Sequence, residues 1–303
     1  MCFTLGTHLR WNQTGKVVAG GSFGSSPAQL RTPSCLYIDQ NNTLYICDTR
    51  NNRIQKWIAS DSSGSTVAGS SVGTAGTSSI LLESPVDVTF DKIGYMYVVD
   101  TDNHRIQRYS PNSTNGITVA GTIGIKSSAL TDLDHPSAVL IDDNLNIYIL
   151  DKHNNRILQW TPNATTGIVM ITSSLLHDAE DFIFVPSTLN QVYISDSKNN
   201  VIYQWIFNAT SPTLQLSQVN SSTSSLREPR GMAVDQYGNL YVTDLDNNRV
   251  VMYCANSTVG IVVAGGTGST PTLYSPIDVA FDLDLNMYVV VENDNQVIKF
   301  SRQ

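Results

Sequence analysis

Pro33-Ser34-Cys35-Leu36-Tyr37-Ile38-Asp39, then Leu44-Tyr45-Ile46-Cys47-Asp48, then Asn51-Asn52-Arg53-Ile54 is one pass of a pattern that the chain repeats. A Pro, an apolar run ending in Asp, an apolar Tyr strand and Asp-x-x-Asn-Asn-Arg return from Pro85 to Asp91 with Tyr97, Asp100 and Asn103-His104-Arg105-Ile106. They return again from Pro136 to Asp142 with Tyr148, Asp151 and Asn154-Asn155-Arg156-Ile157, and from Pro229 to Asp235 with Tyr241, Asp244 and Asn247-Asn248-Arg249-Val250. Pro276 to Asp282 with Tyr288 is a fifth copy, and Tyr193, Asp196 and Asn199-Asn200-Val201-Ile202 mark a weaker one. Successive Tyr marks lie 45 to 52 residues apart, close to the roughly 40 to 50 of a four-stranded propeller blade.

Alternation and turn chemistry place four short strands in each unit. In the first unit they fall at about 34–38, 44–47, 53–58 and 65–69. The second strand, Leu44-Tyr45-Ile46-Cys47, is apolar on both faces, as a sheet pressed between two neighbours requires and a one-sided surface sheet does not. Turns such as Gln236-Tyr237-Gly238-Asn239 and Asn112-Ser113-Thr114-Asn115-Gly116 supply the positive-φ residues that tight reversals need.

The order of strands also predicts how the ring shuts. An outer strand recurs as Val67-Ala68-Gly69, Val119-Ala120-Gly121, Ile168-Val169-Met170, Leu214-Gln215-Leu216 and Val263-Ala264-Gly265, but nothing equivalent follows Gln296-Val297-Ile298-Lys299-Phe300. The missing copy stands at the other end, in Gly15-Lys16-Val17-Val18-Ala19-Gly20-Gly21. The prediction is an all-β, closed six-bladed β-propeller with four-stranded blades, a single domain over 1–303, in which the outer strand at about 15–21 completes the blade formed by about 276–302 and leaves no exposed edge at the seam.

Asn103-His104-Arg105-Ile106 and its Asn-Asn-Arg-Ile sisters resemble the signature of NHL repeats, and the resemblance runs over essentially the whole chain. It implies a propeller, commonly of six blades. It does not imply one activity, since similar propellers serve as RNA-binding or substrate-recognition arms of tripartite-motif ubiquitin ligases, as sensor ectodomains and as peptide-amidating lyases.

Charge narrows these alternatives. With 18 Lys plus Arg against 26 Asp plus Glu, a net charge of −8, the molecular field repels polyanions, and several Arg are committed to the repeat, so nucleic acid is a poor partner. No apolar run reaches the ~18–20 residues of a membrane span. Met1-Cys2-Phe3-Thr4-Leu5-Gly6 lacks the basic start and apolar run of a signal peptide, as a mature product or an excised ectodomain would.

Asp48, Asp100, Asp151, Asp196 and Asp244 recur in blade after blade, and a repeated residue cannot mark one site. The expectation is a structural carboxylate that accepts loop amides or pairs with Arg53, Arg105, Arg156 or Arg249. The loops that lead into the inner strands gather at one mouth of the central channel, where propellers hold ligands. Those loops and strand starts carry Glu83, Asp87, Asp134, His135, Glu180, Asp181, Arg227, Glu228, Arg230 and Asp278, with Asp181 read as lying near the position of the Pro missing from the fourth unit. Glu83, Asp87, Asp134, Glu228, Arg230 and Asp278 are the candidate ligand contacts, an acidic set suited to a channel-bound cation or a basic peptide; a solvated acidic rim is the alternative. Neither a catalytic residue nor a metal ligand set is assigned. A zinc centre needs three or more N, S or O ligands, whereas His8, His104, His135, His153 and His177 hold unlike places in their repeats and form no ring of equivalent histidines. No phosphate-binding P-loop occurs.

The leading expectation is therefore a monomeric, extracellular or secreted binding scaffold without a cofactor, recognising a peptide, protein or glycan at the channel mouth. The alternatives are an intracellular RNA- or substrate-recognition arm of a ligase and a metal-dependent amidating lyase. Four of the seven Asn-x-Ser/Thr sequons, at Asn112, Asn163, Asn208 and Asn256, each follow by three residues the aromatic that ends a third strand, and Asn12 follows Trp11 in a comparable place. Such rim turns tolerate glycans, although Asn also suits turns for its own reasons. Cys35 and Cys47 fall opposite one another in a hairpin centred on Asn41, within disulfide reach, and Cys2 with Cys254 would pin the N-terminal tail to the fifth blade; buried thiols are the alternative. Secreted from a eukaryotic host, the chain is expected to lose mass on glycan removal and, unreduced, to weigh four hydrogens less than the chain with its four cysteines as thiols. An unmodified chain with four thiols would favour the intracellular alternative.

Overall fold

The computed structural model describes residues 10–59, 61–188, 190–220, 224–266 and 270–303. Six four-stranded antiparallel sheets follow one another along the chain, each ordered from an inner to an outer strand. Blade 1 runs through Pro33–Ile38, Leu44–Asp48, Arg53–Trp57 and Ser65–Gly69. The inner strands of blades 2 to 6 are Pro85–Phe90, Pro136–Ile141, Ala179–Phe184, Pro229–Val234 and Pro276–Phe281. Each packs against the inner strands of both neighbours, the last against the first, so the ring is closed. Lys16–Gly20 pairs antiparallel with Gln296–Phe300, with Lys16 opposite Lys299 and Ala19 opposite Val297, and so completes blade 6.

Six buried apolar clusters hold the ring, one at each seam. The two-residue period of a strand explains how a single sheet serves two seams. On the second strand of blade 2, Met96–Asp100, Val98 joins the cluster shared with blade 1 while Tyr97 and Val99 join that shared with blade 3. The fourth blade follows the same plan with a shorter outer strand, Leu214–Leu216, supplemented by a small ribbon of Gln218–Val219 and Ser224–Ser225. Its inner strand corrects the register read from the sequence. Ala179, not Asp181, pairs with Asp196 where the other blades pair Pro with Asp, and Asp181 lies two residues further along.

The repeated Asp is structural, as expected, and its environment shows why it is buried. In blade 2, Asp100 Oδ2 accepts from Arg105 Nε at 2.7 Å and Asn103 Nδ2 at 2.9 Å, and Oδ1 accepts the Glu83 amide at 2.7 Å. The Arg105 guanidinium then donates to the carbonyls of Thr77, Ser78 and Leu81 in the chain that arrives from blade 1. Blades 1, 3 and 5 repeat the Asp–Arg contact at 2.6 to 2.7 Å. In blade 4 Val201 stands in place of the Arg and is buried in the apolar cluster beside Tyr203, which accounts for the lost ion pair by packing.

The second residue of each Asn-Asn turn has its own task. Asn52 adopts φ 54° and its side chain accepts the amide of Ser84 in the next blade at 3.0 Å. Asn200, Asn248 and Asn295 hold Glu228, Ser275 and Thr32 in the same way. The residues so held precede Pro and themselves have positive φ, between 46° and 56°. That conformation is costly for a side-chain-bearing residue, and the cross-blade hydrogen bond helps to fix it.

Cys35 and Cys47 pair in register and form a disulfide with Cα atoms 5.0 Å apart, as the hairpin arithmetic predicts. Cys2, the expected partner of Cys254, lies outside the described residues. Asn12, Asn112, Asn163, Asn208 and Asn256 are all exposed, and the last four have φ between 61° and 65°, a turn conformation that Asn favours on its own account. Asp100→Ala is expected to cost about 3–5 kcal/mol, because it leaves the Arg105 guanidinium buried without its carboxylate; urea denaturation would measure it. A combined Asp100→Leu, Arg105→Leu variant is expected to recover part of that loss.

Candidate functional site

The inner strands enclose a cavity of about 690 Å3 that runs from the mouth into the channel. Successive residues of these strands line it, and the third position of the inner strands is where carboxylates enter its wall. Around the ring that position holds Cys35, Asp87, Ala138, Asp181, Gly231 and Asp278, so a carboxylate alternates with a small residue.

Each of these Asp residues ties its own blade to the next. Asp87 Oδ1 accepts the amide of Val88 and Oδ2 that of Val139, both at 2.8 Å. Asp278 takes the amides of Val279 at 2.8 Å and Leu36 at 2.7 Å. Asp181 accepts from Met232 at 2.8 Å. The small residues make room for this bridge, since a Cβ on Gly231 would collide with the Asp278 carboxylate. The three carboxyls are deeply set, and burial raises all of them. Asp87 is pushed up to about 6. Asp278 rises to about 8 through burial and then the charge of Asp87, and Asp181 goes well above the usual carboxylate range through burial and the charges of both others. Burial and mutual charge thus act in one direction, and both favour the protonated form of the ring.

The candidate contacts read from the sequence separate into levels. Asp87, Arg230 and Asp278 line the channel cavity, joined by Asp181. Arg230 is drawn into a chain of rim ion pairs: it contacts Glu180 closely and Glu228 at 3.8 Å, while Lys152 bonds Glu180 at 2.9 Å and Asp178 at 2.8 Å. The rim is thus part-neutralised on the side of blades 3 to 5. Glu228 is half-buried and lies outside the cavity lining, and Glu83 lines a neighbouring hollow of about 320 Å3 with Arg31, Arg50 and Asp102. Asp134 lies at the seam of blades 2 and 3.

That seam departs from the sequence expectation for histidines. Their positions are unlike in the repeat, yet the closed ring brings three imidazoles together. His104 occupies the second Asn position of its turn and its Nδ1 accepts the His135 amide at 3.2 Å, the role Asn plays in other blades. His135 precedes Pro136, and His153 lies in the following turn. The ring centroids of His104 and His135 are 4.6 Å apart and those of His135 and His153 are 4.3 Å apart. Asp134 Oδ1 lies 2.6 Å from His135 Nδ1 and 3.5 Å from His153 Nδ1. Burial would raise the Asp134 carboxyl, but the His135 hydrogen bond and the nearby imidazoles bring it below its usual range. Burial, then the neighbouring His135, lowers His104. The signal was available in the sequence: residues adjacent across a seam are the second Asn of one turn, the residue before the next Pro and the third residue of the next turn.

The NHL repeat family model matches residues 30–57 and 226–253. No curated protein matches the chain in sequence. Among solved structures it is similar to an auxiliary nutrient binding protein from Bacteroides ovatus, at 13% identity and a TM-score of 0.72, covering 98% of this chain and 78% of that one. A gluconolactonase from Xanthomonas campestris is similar at 12% identity and a TM-score of 0.68, with 91% and 87% covered. Virginiamycin B lyase from Staphylococcus aureus is similar at 11% identity and a TM-score of 0.64, with 97% and 99% covered. At such identities the likeness is one of fold.

Raised carboxyls make a checkable demand on stability. The folded ring holds protons that the unfolded chain releases near pH 3.8, so its contribution is complete below that pH and is lost as pH rises through about 6 to 8. Asp278→Asn is expected to lower stability by about 1–3 kcal/mol, because one of the two amides loses its acceptor. It should also flatten the decline in urea midpoint between pH 5 and pH 9, and an unchanged slope would refute the assignment.

Proposed function

We propose that this chain, an NHL-repeat six-bladed β-propeller, is a binding module whose channel mouth takes a peptide or glycan bearing an amine or guanidinium group. The observation that carries this reading is the ring of Asp87, Asp181 and Asp278 set into the wall of a cavity of about 690 Å3. A large concave site with a few converging polar groups of displaced pKa is where ligands are held. The ring carries less than its full negative charge when empty, and a cation placed against it would draw off the retained protons. Binding and proton release are thus coupled. Lys152, Glu180 and Arg230 on the rim would orient the rest of the ligand.

The Cys35–Cys47 disulfide suits an oxidising compartment, and the exposed rim sequons accord with it, so the reading extends to an extracellular or secreted protein. The resemblance in fold to nutrient-binding proteins supports a binding role. A second, catalytic reading draws on the His–Asp seam beside the mouth and on the lactonase and lyase among the similar folds. Dialysis-stable turnover of a lactone, lost in His135→Ala, would move the assignment to an enzyme.

The test is calorimetric titration with Arg- and Lys-containing peptides and amino sugars in two buffers of different ionisation enthalpy. Binding is expected to release protons near neutral pH and to weaken at least tenfold in Asp181→Asn. Equal affinity in that variant, or binding confined to neutral ligands with no proton release, would overturn the reading.

A further inference from the structure

We propose that His104, Asp134 and His135, with His153 at their edge, form a binding site for a divalent transition-metal ion at the seam of blades 2 and 3. One ligand atom from each of His104, Asp134 and His135 lies within 4.8 Å of the others. His153 Nδ1 approaches the same Asp134 oxygen at 3.5 Å. A tetrahedral ion with bonds of about 2.0–2.1 Å needs ligand atoms about 3.4 Å apart. The Asp134–His153 pair already has that separation, and Asp134 Oδ1 and His135 Nδ1, at 2.6 Å, would part by about 0.8 Å.

The donor set selects the metal. Imidazole with one carboxylate suits Zn2+, and also Co2+, Ni2+ and Cu2+, whereas Ca2+ and Mg2+ require oxygen ligands. A carboxylate for the outer shell is near as well. With His135 ligating through Nδ1, its Nε2–H would face Asp102 Oδ1, which at 4.0 Å is beyond hydrogen-bond distance and would have to close by about 1 Å to make the carboxylate–histidine contact that fixes a metal-bound ring. His104 Nδ1 accepts the His135 amide at 3.2 Å, and ligation through Nδ1 would replace that contact. His153 is about half exposed, and with His135 it lines the channel cavity. The metal would therefore sit on the wall of that cavity with a coordination position open to it.

The seam is also built differently from its equivalents. Where His104 stands, the other turns have Asn52, Asn155, Asn200, Asn248 and Asn295. Where His135 stands before Pro, the other blades that have that Pro carry Thr32, Ser84, Glu228 and Ser275. In blades 1, 4, 5 and 6 Asn alone satisfies the cross-blade amide, so the imidazole exceeds what the fold requires at this position.

The experiment is titration of the chelator-treated, dialysed full chain with ZnCl2 by calorimetry, and with CoCl2 by visible absorption. One equivalent of Zn2+ is expected to bind, and Co2+ to give the intense d–d bands of a low-coordinate N/O site, both reversed by added chelator. His135→Ala is expected to abolish binding. His104→Asn keeps the cross-blade hydrogen-bond acceptor, should melt like the wild type and is expected to bind at least tenfold more weakly. His177→Ala, outside the seam, should bind unchanged. Absence of a stoichiometric wild-type isotherm would overturn the proposal, as would unchanged affinity in folded His135→Ala and His104→Asn.

Discussion

The rest of the molecule depends on the buried carboxylate that ends the second strand in five of the six blades, Val291 standing in its place in the sixth. Asp100 satisfies its own turn through Asn103 and Arg105, and through the Glu83 amide it also anchors the segment arriving from the previous blade. A charge so buried is tolerable only when hydrogen-bond donors meet it, and the three donors are supplied by the motif and by the backbone it captures. The motif therefore fixes a connection between blades as much as it fixes a turn. With the cross-blade bonds of Asn52, Asn200, Asn248 and Asn295, every mouth loop they reach is tied to two blades. A mouth fixed in this way is preorganised, and a ligand bound there pays little to order it.

A regular ring leaves its channel as the place where the repeat can vary without loss of the fold. The alternation of Asp87, Asp181 and Asp278 with Cys35, Ala138 and Gly231 uses that freedom while still serving the seams, since each carboxylate accepts an amide from the next blade. The consequence is electrostatic. Burial raises all three carboxyls, and the charge of Asp87 adds to the rise at Asp181 and Asp278, so full ionisation of the ring is disfavoured.

Most of the fold was legible from the sequence because each blade repeats its own instructions. The period, the two-faced second strands, the closing strand at Lys16–Gly20 and the Cys35–Cys47 pairing all follow from local pattern or simple register. What escaped was contact between blades. Asp181 was misplaced because its blade begins with Ala179 where the others have Pro, which removed the marker that sets the register. The grouping of His104, His135 and His153 escaped for a related reason. Comparing equivalent positions asks whether residues share a place in the repeat, whereas a seam joins unlike places: the end of one turn, the start of the next inner strand and the turn after that.

These two features differ in symmetry, and the difference bears on recognition. The Asp ring follows every second blade, so by itself it offers three equivalent orientations to any ligand that reaches it. Among the described residues the His–Asp seam occurs once, and the rim ion pairs of Lys152, Glu180 and Arg230 lie on blades 3 to 5. A ligand held by both the ring and one of these singular features has one orientation available. Specificity in a repeat protein has to come from where the repeat is broken, and here the breaks lie around the same cavity as the ring.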